Sequence, residues 1–168
     1  MTVLEYDDVY AALWPRLVRT AYAVAGDRGV AEDAVQTAFA KAYRSWRRIS
    51  RMAAPEAYLR RMTINEVLND RRLARHRHEV SREQLPEQVL AGDADAALAH
   101  DEMWTAISTL PPRQRAVLVL RYYEDLSEQQ IADALGCRPG TVKSQASAAL
   151  ASLRNRLDLP TRAGGEGP

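Results

Sequence analysis

The sequence predicts an all-α protein of two small helical domains joined by an acidic linker, the second containing a helix-turn-helix. Three observations carry this. Apolar residues recur at intervals of three and four in the segments on either side of residues 79–100, which is the period of an amphipathic helix and not the alternation of a strand. Only eight glycines interrupt 168 residues, so few positions disfavour a helix outright. Charge is distributed in blocks that mark separate units. Residues 44–78 hold ten arginines against Glu56, Glu66 and Asp70, a net +7, whereas 79–110 hold seven acids and one base, and 111–158 seven bases and five acids. The overall net charge of +1 conceals this division. Basic surfaces on either side of an acidic segment suit two contacts with one polyanion, the middle segment being held away by repulsion.

In chain order, the first expected helix runs from Asp7 to Ala25, with Val9, Leu13, Leu17, Ala21 and Val24 along one stripe. Gly26-Asp27-Arg28-Gly29 breaks it. A second helix follows, with Ala31, Ala34, Val35, Ala38, Ala42, Tyr43 and Trp46 on the apolar side and Glu32, Asp33, Gln36 and Lys41 on the other. Arg47 to Ala54 shows no period and reads as a loop. Pro55, suited to a first helical turn, opens a third helix expected to reach about Arg75. These elements define a first domain over 1–78.

Residues 79–100, with Pro86, Gly92 and the Asp93/Asp95 pair, read as the linker. The second domain, 101–158, begins with helical periodicity from Met103 to Leu110. Pro111-Pro112 ends that run and opens a helix over Arg113 to Tyr123. Asp125-Leu126-Ser127 is a break, and Ser127 with Gln130 three residues on is a capping-box pair for a short helix through Leu135. Gly136 stops that helix, Pro139 starts another that ends near Leu157, and 159–168 is expected to be a disordered tail.

The last two helices, separated by Gly136-Cys137-Arg138, form a helix-turn-helix whose second member is shaped to enter a DNA groove. Val142, Ala146, Ala149, Leu150, Leu153 and Leu157 gather on one face. The opposite arc carries Lys143, Ser144, Ser147, Ala148, Ala151 and Arg154, small or polar groups that admit close approach of the backbone. Lys143 and Arg154 can neutralise phosphates, and Ser144 and Gln145 can hydrogen-bond to bases or backbone. In the third helix, Tyr58, Arg61, Asn65, Asn69 and Arg72 share a stripe of cations, amides and an aromatic. Such a stripe suits an opened strand, in which arginines hold phosphates, amides meet base edges and an aromatic ring stacks. Arg47, Arg48 and Arg51 extend the basic surface into the preceding loop.

Other chemistry finds little support. The single Cys137 excludes an internal disulfide framework and a multi-cysteine zinc site, and its place in the turn favours a structural role. His76 and His78 have no carboxylate cluster beside them in sequence and read as solvated or phosphate-facing, so no metal and no cofactor is expected. No phosphate-binding GxxxxGK, GxSxG or HExxH motif occurs, and an enzyme is not expected. No apolar run approaches the ~20 residues that span a bilayer, and the acidic start is unlike a secretory signal, so a cytoplasmic protein is expected.

Leu110-Pro-Pro-Arg-Gln-Arg-Ala-Val-Leu-Val-Leu-Arg-Tyr-Tyr-Glu-Asp-Leu126, followed by Ser127-Glu-Gln-Gln-Ile-Ala-Asp-Ala-Leu-Gly136 and Gly140-Thr-Val-Lys-Ser144, closely resembles the fourth conserved region of bacterial sigma factors. Ala31-Glu-Asp-Ala-Val-Gln-Thr-Ala-Phe-Ala-Lys-Ala-Tyr43 and Pro55-Glu-Ala-Tyr-Leu-Arg-Arg-Met-Thr-Ile-Asn65 resemble the second region. Two such regions and an acidic linker resemble the extracytoplasmic-function group, and Thr141 to Ser147 resembles its small actinobacterial members. The resemblance implies core RNA polymerase, through its clamp helices and flap tip, and promoter DNA as partners, and it admits an anti-sigma protein. It implies polymerase contact at Asp33, Gln36 and Phe39, although the helical period half-buries Phe39. It implies recognition of the melted −10 element by Arg48, Arg51, Tyr58, Arg61, Asn65, Asn69 and Arg72, with the loop 47–54 capturing a flipped base. It implies recognition of the −35 duplex by Arg138, Thr141, Lys143, Ser144, Gln145, Ser147 and Arg154. Gln145 and Ala148 stand where many members carry arginine. The competing reading is a stand-alone helix-turn-helix regulator, which would bind promoters without polymerase.

Overall fold

The computed structural model describes residues 5–70 and 102–157, and among these every regular element is helical. Helices α1 (Tyr6–Ala25), α2 (Arg28–Arg44), α3 (Trp46–Ile49) and α4 (Pro55–Asn69) form the first module. The second comprises α5 (residues 102–108), α6 (Pro112–Leu118) continued by a π-turn over Val119–Tyr123, α7 (Glu128–Leu135) and α8 (Pro139–Leu157). The linker 79–100, the tail 159–168 and residues Arg72, His76 and His78 lie outside the described residues.

Local chemistry sets the helix ends. Gly26 closes α1 in the left-handed region at φ 70°, its N–H donating to the Tyr22 carbonyl, and Asp27 then caps α2 by accepting from the Val30 N–H at 2.8 Å. The break between the first two helices therefore takes only two residues. Ser127 Oγ accepts from the Gln130 N–H while Gln130 Oε1 accepts from the Ser127 N–H, the reciprocal box expected from the sequence. Gly136 ends α7 at φ 62°, and Arg113 donates to the Leu135 carbonyl at 3.2 Å, satisfying a further carbonyl at that end. Two local features depart from the sequence expectation. The segment 47–54 is not all loop, because its first residues form the single turn α3. Helix α4 stops at Asn69, since Asp70 is extended, in keeping with two successive side chains that compete with helical backbone hydrogen bonds.

In the first module α1, α2 and α4 pack around Leu17, Ala21, Val24, Val30, Val35, Phe39, Leu59, Ile64 and Val67, all buried. Tyr6, Tyr10 and Trp14 surround Phe39, with the Tyr10 and Phe39 ring centroids 4.8 Å apart and the Tyr6 hydroxyl donating to the Phe39 carbonyl at 3.1 Å. Tyr43 departs from its predicted apolar stripe: it is 66% exposed and stacks edge-on against Tyr6. Helix α2 ends at Arg44, which moves Trp46 into α3.

The same apolar cluster continues into the second module through Val117, Val119, Leu120, Ile131, Ala132, Leu135, Val142 and Ala146. A smaller cluster of Ala106, Leu110, Leu118, Ala149 and Leu153 belongs to the second module alone. The π-turn adds one residue to the helical repeat, closed by the Glu124 N–H donating to the Val119 carbonyl. This rotates Glu124 inward, and its side chain is only 2% exposed.

Candidate nucleic-acid interface

Helix α8 is placed by α6 and α7 so that Val142, Ala146, Ala149 and Leu153 are buried and Leu150 and Leu157 half-buried, the face expected from the period. The opposite side is open. Arg138, Thr141, Lys143, Ser144, Ser147 and Arg154 are exposed and Gln145 is half-buried, so the structure brings all seven candidate −35 residues onto one helix and its preceding turn. Ala148 and Ala151 are exposed between them, leaving no long side chain to hold the backbone away. Ser144 Oγ donates to the Thr141 carbonyl at 3.0 Å, which leaves its lone pairs free to accept. Lys143 Nζ lies 3.7 Å from a Glu128 carboxylate oxygen, with the lysine side chain 72% exposed. An exposed pair at that distance is weak, and a phosphate can displace it.

In the first module, α3 and the start of α4 form a second basic surface. Arg44, Arg47, Arg48 and Arg51 line a concavity of about 510 Å³ open to solvent. The Arg48 guanidinium donates to the Tyr58 hydroxyl at 3.4 Å, joining the arginine surface to the α4 stripe. Tyr58 and Asn65 are half-buried and Arg61 and Asn69 exposed, so four members of the stripe lie on one side of α4. Arg44 was not singled out from sequence. It stands at the last turn of α2, and only the short α3 folds that turn back beside Arg47 and Arg51.

Asp33 and Gln36 are exposed on α2 and line a cleft of about 370 Å³ between α2 and the end of α4, which Asn69 also lines. Asn69 therefore borders the acidic α2 surface as well as the basic stripe. Phe39 is corrected: at 1% exposure, enclosed by three aromatic rings, it cannot meet a partner while the module is folded. A position that faces the core every three to four residues keeps facing it in the packed helix, and the period was the better guide.

Two buried charges went unnoticed in the sequence. Glu124 accepts from Arg16 Nη2 at 2.9 Å and from Thr20 Oγ1, and lies 3.4 Å from Arg60 Nε. The Arg16 guanidinium is raised above its ordinary range, chiefly by the charge of Glu124, and it also donates to Glu56 at 2.6 Å. Arg115 is 8% exposed and donates from Nη1 to the Ser108 carbonyl at 3.0 Å, tying α6 to α5. Burial pushes its guanidinium down to about 10, so at neutral pH it remains charged in an apolar setting. Among the described residues no group of three or more His, Cys, Asp or Glu side chains is placed to hold a metal ion, and no helix is long and apolar enough to cross a membrane.

Comparison with known proteins accords with the two-module geometry. Residues 9–77 match the family description "Sigma-70 region 2" and residues 100–153 match "Sigma-70, region 4". The chain is 40% identical over 168 aligned residues to the RNA polymerase sigma-E factor of Streptomyces antibioticus, covering 96% of this chain and 91% of that protein. It is 37% identical over 156 residues to the ECF RNA polymerase sigma factor SigL of Mycobacterium tuberculosis H37Rv, covering 90% and 86%. The fold is shared with the sigma factor RpoE of Bartonella quintana, solved in complex with the anti-sigma factor NepR, at a TM-score of 0.72 and 24% identity over 92% of this chain and 97% of that one. The chain belongs to the extracytoplasmic-function group of RNA polymerase sigma factors. It directs core RNA polymerase to promoters, and the reading as a stand-alone regulator is not favoured.

Proposed function

We propose that the two modules divide promoter recognition, the first (1–78) engaging polymerase and the melted −10 strand and the second (101–158) engaging the −35 duplex. The observation that carries this division is the chemical contrast between the two exposed basic surfaces. The α8 face is narrow, small and polar, the surface expected of a helix seated in a major groove, with Arg138, Thr141, Ser144, Gln145 and Ser147 toward bases or sugar-phosphate and Lys143 and Arg154 on phosphates. The α3–α4 surface is a broad arginine concavity beside an aromatic ring and amides, which suits an unstacked strand that Arg48, Arg51 and Arg61 hold while Tyr58, Asn65 and Asn69 meet bases. Arg72 joins this set by sequence. Asp33 and Gln36 are the polymerase-facing residues of α2.

The mechanism follows from the energetics of opening. A base inside a duplex presents its inner edge only after unstacking, at a cost of a few kcal/mol, which polymerase and duplex contacts must offset. Asn65→Ala should therefore impair opening more than polymerase binding, and a selective loss of polymerase affinity would refute the assignment. The protein acts in the cytoplasm as an initiation factor with no catalytic step of its own. The Bartonella sigma factor of this fold is bound by an anti-sigma factor, which supports an anti-sigma protein as a third partner class. Transcription with purified core polymerase on a library of upstream fragments tests the whole reading. Selective transcripts that depend on this chain are expected, and the absence of both transcripts and a chain–polymerase complex would overturn it.

A further inference from the structure

The concavity beside α3 holds more positive charge than a single strand crossing it can neutralise. Arg44, Arg47, Arg48 and Arg51 are all exposed and line it, with Ser45 as the remaining wall residue. The backbone sets this convergence. The Arg48 N–H donates to the Ser45 carbonyl at 2.9 Å and the Ser50 N–H to the Trp46 carbonyl at 2.8 Å, while buried Ile49 and the Trp46 ring, 5.2 Å from Tyr6, pin the short turn to the module. Elsewhere in the first module Arg16, Arg28, Lys41 and Arg60 each meet a carboxylate. In the concavity no arginine pairs with a carboxylate of the described residues, and no acid lines the wall. Like charges gathered without counter-charge repel one another, and a polyanion of matching charge density relieves that repulsion. We infer that the concavity is a binding site for an oligophosphate chain, in which three or more phosphoryl groups are linked in a row.

Charge density decides between ligands. A space of about 510 Å³ is about 8 Å across, and a stacked strand advances about 3.4 Å per phosphate, so a strand crossing it leaves about two phosphates inside. An unstacked, extended strand leaves fewer. Four guanidinium groups exceed that number, and each presents a planar fork of donors that matches a phosphoryl group. Orthophosphate brings a single phosphoryl group and leaves most of the arginines without a partner. A triphosphate gathers three in the same space. The contact from Arg48 to the Tyr58 hydroxyl, at 3.4 Å, is long and occupies one edge of that guanidinium, so its other N–H groups remain available. The consequence for initiation rests on the −10 reading given above: an occupied concavity keeps the strand out, since Arg48 and Arg51 cannot hold both anions at once.

The test is calorimetric titration of the full chain at fixed ionic strength, with sodium orthophosphate, sodium tripolyphosphate and magnesium-free ATP as separate titrants. One tripolyphosphate per chain is expected, bound at least about tenfold more tightly than orthophosphate. Arg44→Gln with Arg47→Gln should weaken tripolyphosphate binding at least about tenfold. Arg28→Gln with Arg121→Gln removes the same charge from exposed positions elsewhere and should change it less than about twofold. All four side chains are exposed, so the folded chain survives both pairs of substitutions. Tighter binding of ATP than of tripolyphosphate would identify the ligand as a nucleotide, and the reverse as an inorganic chain. The absence of saturable binding, tripolyphosphate no tighter than orthophosphate, or an equal loss in the charge-matched variant would overturn the proposal. The titration contains neither polymerase nor DNA, so a failure to support transcription would count against the functional reading alone.

Discussion

The two modules are stabilised differently. The first encloses Phe39 within an aromatic cluster and buries residues from every long helix it contains, whereas the core belonging only to the second is Ala106, Leu110, Leu118, Ala149 and Leu153. The remaining buried apolar residues of the second module, from Ala116 to Ala146, join the cluster of the first. The contrast shows that the second module, just under sixty residues long, is close to the size at which a core alone is marginal, and that it draws stability from the apolar cluster it shares with the first. Their exposed basic surfaces differ in parallel: the better-buttressed module carries the arginine concavity, and the smaller one presents a helix with little side-chain bulk.

Removing the aromatic centre should have the largest effect. Phe39→Ala is expected to cost ~3–5 kcal/mol in chemical denaturation, whereas Asp33→Ala with Gln36→Ala should leave stability within ~0.5 kcal/mol and weaken polymerase binding. The opposite pattern would return Phe39 to the interface. Next, Leu120→Ala, in the shared cluster, should cost ~2–5 kcal/mol and lower the unfolding midpoints of both modules together. Leu153→Ala should fall at the lower end of that range and act on the second module. Equal effects on both modules from Leu153→Ala, or an effect of Leu120→Ala confined to one module, would contradict the asymmetry.

On the exposed face of α8, Lys143→Ala with Arg154→Ala should weaken duplex binding and reduce the slope of log K against log salt by about 2. An unchanged slope would mean that neither residue meets phosphate. Ser127→Ala removes half of the capping box and is expected to cost ~1 kcal/mol, seen as a shift in the second module's thermal transition. A small effect is also expected from Arg115→Met. Because the buried guanidinium opposes folding through its desolvation, exchanging it for an apolar side chain of similar length should change stability by no more than ~1 kcal/mol despite the loss of the bond to Ser108.

Much of this architecture is legible in the sequence because its determinants are local. Ser127 and Gln130, Gly136, and the apolar face from Val142 to Leu153 act within one or two helical turns, and each was placed as the structure has it. Features set by tertiary packing were not legible. Periodicity assumes a constant 3.6 residues per turn, so the inserted residue of the π-turn is invisible to it, and with it the burial of Glu124. Beside Asp125 at a helix end, Glu124 reads as a solvated turn residue until Arg16, Thr20 and Arg60 are brought around it. Tyr43 was misplaced for a related reason: it sits at the rim of the packed face, where the helix ends and solvent begins. The candidate −35 residues were readable as one surface, since a single helix carries most of them. The arginine concavity needed the fold, because α3 reverses the chain between Arg44 and Arg51.

The most direct test of the division of labour is a footprint of polymerase carrying this chain on a fragment that it transcribes, with permanganate used to mark unpaired thymines. Two separated protected segments are expected, with reactive thymines only in the downstream one, and loss of upstream protection alone when Lys143 and Arg154 are replaced by alanine. Reactive thymines in the upstream segment, or loss of the downstream reactivity first in that variant, would contradict it.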